Sequence, residues 1–128
     1  MKRRHRLSRS RDFDAVYRHG RSVATRYLVL YSFAREEGAG DEPRLGLAVG
    51  RQLGTAIERN RLKRRLRAAF DEVKERAPAG CDYVLIARPG LQEAISGQGF
   101  PWLVERVDEV FERSRLAERE PAQPPATA

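Results

Sequence analysis

The chain has 128 residues, 41% of them hydrophobic and 34% charged, with 25 Lys and Arg, 18 Asp and Glu, two His and one Cys. That length supports one modest core rather than two. A single cysteine, Cys81, excludes an intrachain disulfide and a cysteine-based metal site, and no run of about 18 apolar residues suggests a membrane span. The first ten residues, MKRRHRLSRS, carry the positive charge of a signal peptide without its apolar run, so a soluble, cytoplasmic protein is expected. The formal net charge of +7 is unevenly placed: through Arg76 the chain is +10, and from Ala77 onward it is −3. Such asymmetry points to an anionic partner, a nucleic acid or a membrane surface.

In chain order, Ser8 and Ser10 precede RDFDAVYRHG, where Phe13, Val16 and Tyr17 fall at i, i+3 and i+4 before Gly20. This predicts a short helix with a serine cap, Asp12 in its first turn and a glycine stop. RSVATRYLVLYSFA then alternates as one or two strands, with Tyr27, Val29, Tyr31 and Phe33 on one face and Leu28, Leu30, Ser32 and Ala34 on the other. The acidic, turn-rich residues 36–43 read as an exposed connection that makes a hairpin with the next strand, RLGLAVG. In that strand Leu45, Leu47 and Val49 face one way, while Gly46, Ala48 and Gly50 leave the other face nearly bare. Thr55 and Glu58 have the spacing of a capping box and open a helix to about Arg76. DYVLIARPG is a buried strand with Cys81 as a small core side chain beside it. FPWLVERVDEVFERSRLAE is an amphipathic helix with Leu103, Val107, Val110 and Phe111 on its stripe. Residues 1–118 therefore read as one domain with a basic arm. The Pro- and Ala-rich residues 119–128 lack the apolar content to fold.

The stretch ERNRLKRRLR, residues 58–67, puts six cations and one acid into ten residues. On a helical wheel Leu62, Leu66, Ala69, Phe70 and Val73 form one stripe, and Asn60, Arg61, Lys63, Arg64, Arg65 and Arg67 occupy the rest. Such a helix docks by its leucines and shows arginine forks to solvent, a surface suited to phosphate. Mixed signs would serve solubility better, so a merely solvated face is the weaker reading. Among Phe13, Tyr17, Tyr27, Tyr31 and Phe33, some are expected in the core and some as a stacking platform for single-stranded nucleic acid. No acid, base and nucleophile stand at readable spacing: His5 lies in the basic arm, His19 at a helix end, and Asp71 and Glu72 have ordinary salt-bridge explanations.

ERNRLKRRLRAAF resembles the signature helix of the bacterial ribonuclease P protein subunit. RDFDAVYRHGRSVATRYLVLY, RLGLAVGRQLGTAIERNRLKRRLR and DYVLIARPG are similar to that family's other elements in the same order, over residues 3–116. The resemblance implies an α/β (α+β) two-layer sandwich of order αβββαβα, with a mixed sheet of about four strands and a left-handed crossover where the default is right-handed. It also implies partners: the catalytic RNA subunit and precursor tRNA, from which the RNA with bound Mg²⁺ removes the 5′ leader. The protein would be auxiliary, an enzyme subunit without catalytic residues of its own. Phe13, Tyr17, Tyr31 and Arg51 match the family's leader-binding cleft, and Arg59, Asn60, Arg61, Lys63, Arg64 and Arg67 its RNA-binding helix. Gln52 stands where a second cation is common, and Gly50 where a small hydroxyl is common.

The same charge and fold would support a structural RNA-binding protein of the ribosome-associated kind. A DNA-binding regulator fits less well, because the helix needs its leucine stripe on the sheet and no dimer zipper follows.

Overall fold

The computed structural model describes residues 6, 10–35, 42–77 and 80–119. Helix α1 (Ser10–His19) leads into strands β1 (Arg21–Ala24), β2 (Leu28–Ala34) and β3 (Arg44–Ala48). A 3₁₀ turn (Arg51–Leu53) precedes helix α2 (Ala56–Val73), which a second 3₁₀ turn (Lys74–Arg76) extends. Strand β4 (Cys81–Ala87) and helices α3 (Leu91–Gln98) and α4 (Phe100–Arg119) complete the order. His5, Ser8, residues 36–41 of the acidic connection and the tail beyond Arg119 lie outside the described residues.

The sheet is four-stranded and mixed, in the order β1-β2-β4-β3. β2 pairs antiparallel with β1 and β4, while β3 pairs parallel with β4. The expected hairpin between β2 and β3 is therefore not formed, because β4 lies between them. Its composition explains the place: Cys81, Asp82, Tyr83, Val84 and Leu85 are all buried, so β4 is covered on both faces and belongs in the middle. β3–α2–β4 is the parallel crossover unit.

Alternation along these strands builds two cores. On one face Leu28, Leu30, Leu45, Tyr83 and Leu85 meet the stripes of α2 and α4, including Leu62, Leu66, Phe70, Leu103, Val107 and Phe111. Phe111 sits edge-on to Tyr83 at 5.0 Å and tilted against Phe70 at 5.5 Å, which locks the two helices to the sheet. Among the described residues the opposite face carries α1, with Val16 and Val84 buried and Phe13, Tyr31, Phe33 and Ile86 around them. Gly20 lets α1 end against β2: a Cβ there would meet the Val16 carbonyl oxygen at 2.3 Å and that of Ser32 at 2.6 Å.

Two expectations differ in detail. α3 is an additional helix, anchored by buried Leu91 and Ile95 and entered through Gly90 at φ +96°. Tyr27 does not share the Tyr31 face. It stands in the β1–β2 turn, which Thr25 closes by donating its N–H to the Leu28 carbonyl at 2.8 Å, and its ring meets Trp102 edge-on at 5.0 Å.

A charged group, Asp82, is buried in the sheet. Asp82, 4% exposed, accepts from Arg44 Nε at 2.8 Å and Nη2 at 2.7 Å, and from Arg35 Nη1 at 2.8 Å. Arg35 also donates to the Glu42 carbonyl. One carboxylate thus ties together the end of β2, the start of β3 and the start of β4.

Candidate nucleic-acid interface

The strand register sets the floor of the first surface. On the α1 face Ser22, Tyr31, Val84 and Gly46 form one row across the sheet, and Ala24, Val29, Ile86 and Ala48 the next. The floor is apolar in the middle and small at β3. Gly46 is buried and Ala48 half-buried, so the open part runs from Ala48 toward Gly50 and the exposed Arg51. The side chain of Gln52 lies over Gly50, whose missing Cβ would meet Gln52 Oε1 at 2.3 Å. The glycine thus makes room for an amide at the strand end.

α1 supplies the wall. Phe13 and Tyr17, one turn apart, have ring centroids 6.4 Å from each other, and Tyr17 meets Tyr31 edge-on at 5.1 Å. Tyr17 remains 41% exposed, while Phe13 and Tyr31 are half-buried. Burial first, and the neighbouring Tyr31 second, raise the Tyr17 pKa from its ordinary value, so the phenol stays neutral across physiological pH. Three of the five aromatics thus converge on one partly open surface. Phe33 packs on the same small core beneath α1, and Tyr27 belongs to the other face.

The second surface is α2. Its capping box forms as the spacing predicts: Glu58 donates its N–H to Thr55 Oγ1 at 3.2 Å, and Thr55 donates its N–H to Glu58 Oε1 at 3.0 Å. The hydrogen bond from the Thr55 main chain, then that with its side chain, then Arg61, hold the Glu58 carboxyl below its ordinary pKa. Glu58 is the one acid of the stretch, and it is engaged in the cap. Leu62, Leu66, Ala69, Phe70 and Val73 are all buried, as the wheel predicts. Asn60, Arg61, Arg64 and Arg65 are exposed; Arg59, Lys63 and Arg67 are half-buried. Among the described residues none of these six cations is in an ion pair. Arg59 also keeps a buried Nε with no hydrogen-bond partner among the described residues.

The two surfaces lie on opposite faces of the sheet and approach each other at the outer edge of β3. There Arg6 forms a parallel bridge with Leu45, and its charge bears on Arg67, whose pKa is lowered first by burial and then by Arg6. Main-chain pairing by the basic arm carries no side-chain signal, so Arg6 could not be singled out from sequence. Among the described residues no group of three or more His, Cys, Asp or Glu could hold a metal ion. No helix of those residues is long and apolar enough to cross a membrane.

A family model described as Ribonuclease P matches residues 1–114. The chain belongs to the ribonuclease P protein family. It is 42% identical over 120 residues to the ribonuclease P protein component of Symbiobacterium thermophilum, covering 94% of this chain and 99% of that one. With the component of Shouchella clausii it shares 46% identity over 88 residues, 69% of this chain and 70% of the relative. Among solved structures, the RNase P protein of Staphylococcus aureus superposes with a TM-score of 0.75 at 30% identity, covering 87% of this chain and 95% of that one. The RNase P protein of Thermotoga maritima also gives 0.75, at 33% identity, over 84% and 96%. Membership of the ribonuclease P family brings tRNA processing and RNA binding with it, and makes the chain a component of an endoribonuclease complex with an RNA partner. The four-stranded mixed sheet with its helices agrees with those structures.

Proposed function

We propose that the chain is the auxiliary protein subunit of a cytoplasmic ribonuclease P. It binds the catalytic RNA through α2 and the 5′ leader of precursor tRNA through the cleft between α1 and the sheet. The complex removes the leader by endonucleolytic hydrolysis to give the mature tRNA 5′ end. The observation that carries this reading is the set of six α2 cations with no ion-pair partner among the described residues, on a helix already docked by its leucines. Like charges at helical spacing repel by a few tenths of a kcal/mol per pair. RNA phosphates relieve that repulsion as they displace counterions.

In this reading Mg²⁺ is held mainly by the catalytic RNA. The protein's own part is to orient. Phe13, Tyr17 and Tyr31 present ring faces and edges on which unpaired leader bases can stack, and Arg51 offers a phosphate contact at the floor's open end.

Leader binding is testable by comparing substrates. Tyr31→Ala should weaken binding of precursor tRNA carrying a leader of several nucleotides by about 1–3 kcal/mol, the contribution of one stacked base, and leave mature tRNA binding nearly unchanged. Arg51→Ala should lower the log–log salt slope by about 0.7, the value for one single-strand phosphate, whereas Tyr31→Phe should not alter it. Equal weakening of precursor and mature tRNA by Tyr31→Ala would return the ring to the core.

A further inference from the structure

The first turn of α2 carries an apolar side chain that the fold leaves uncovered. Ile57 is 71% exposed, the most exposed of the large hydrophobic residues described. At roughly 100° per residue, Asn60, Arg61 and Arg64 follow it at i+3, i+4 and i+7 on the same outward side, and all three are exposed. A lone apolar residue on a surface is ordinary in itself. Here, however, it stands beside Arg61 and Arg64, neither of which forms an ion pair among the described residues, and helix formation gives no reason for it. A β-branched residue is a poorer helix former than alanine, and the N-terminal turn favours an acid.

Resting on the reading of α2 as the face toward the catalytic RNA, we propose that Ile57 is the apolar contact of that face, seated against an unstacked base of the RNA while Arg61 and Arg64 hold the flanking phosphates. Charge selects the occupant. A second copy of this chain would bring the same cationic surface against itself. An anionic RNA that meets Arg61 and Arg64 brings ribose and base faces within reach of the side chain between them. Paired A-form RNA offers chiefly phosphate and 2′-hydroxyl groups, so an isoleucine gains most where a base is splayed out of its stack.

The test measures binding of the full chain to the RNA subunit of ribonuclease P over a salt series, together with thermal melting and sedimentation of the free protein. Ile57→Ala should weaken RNA binding roughly tenfold. It should leave the salt slope unchanged and the melting temperature unchanged or slightly raised, and Ile57→Leu should restore most of the affinity. Arg61→Ala should instead reduce the slope. Wild-type RNA affinity in Ile57→Ala alongside weakened Arg61→Ala would overturn the inference and leave the RNA-binding helix standing. Wild-type affinity in both would overturn the two together. A lowered melting temperature that accounts for the lost binding, or altered self-association in place of altered RNA binding, would also overturn it.

Discussion

Asp82→Ala is expected to destabilise the fold by about 3–5 kcal/mol, the cost of removing one partner from a buried ionic group. The Asp82 side chain is only 5% exposed, and the change would remove a carboxylate to which Arg35, its side chain 8% exposed, donates at 2.8 Å. Arg44, at 31%, can turn partly to water. Because the carboxylate joins β2, β3 and β4, the loss should appear as a lower urea midpoint in a single cooperative transition. A stability within about 0.5 kcal/mol of wild type, the range of an ordinary surface substitution, would mean that Asp82 does not hold the strand ends together.

A second pair of outcomes separates the two sides of α2. Leu66, fully buried, should cost about 2–5 kcal/mol of stability when cut to alanine. Arg61→Ala and Arg64→Ala should leave melting within about 0.5 kcal/mol of wild type and weaken binding to the RNA subunit. Each should lower the salt slope by about 0.9 for a duplex-like phosphate contact or about 0.7 for a single strand. Circular dichroism melts run beside RNA titrations check both. Comparable unfolding by all three substitutions would place the wrong side of the helix on the sheet.

The helix that carries these predictions was readable because its determinants are local. The leucine stripe repeats at helical spacing, the Thr55–Glu58 box needs only four residues, and the cations must lie where the stripe does not. Strand order is not local. A linear reading joins β3 to β2 across an acidic turn, whereas β4, arriving more than thirty residues later in sequence, has two apolar faces and takes the middle position. Its nearly unbroken apolar run was the available signal for that place. α3 has one hydrophobic pair, Leu91 and Ile95, over eight residues, too little periodicity to stand out between two strong elements. Tyr27 breaks the alternation of β2 because it precedes the strand, in a turn that Thr25 closes.

The candidate site divides along the same line. Phe13 and Tyr17 were legible as one face of a short helix, and Tyr31 as one face of a strand. Their convergence depends on α1 crossing β2 and β4, which only tertiary packing provides. The cationic side of α2 is legible in composition, and its lack of ion pairs among the described residues is not. That required knowing that Glu58 is spent in the cap and that no other acid among the described residues reaches them.

Reconstitution with the ribonuclease P RNA at low Mg²⁺ tests the central claim most directly. The purified chain alone should leave precursor tRNA uncut, the RNA alone should cleave slowly, and the two together should release the 5′ leader faster, with Arg61→Ala and Arg64→Ala needing more protein to reach the same rate. Robust cleavage by RNA-free protein, or no stimulation of the RNA by a folded chain, would contradict the account.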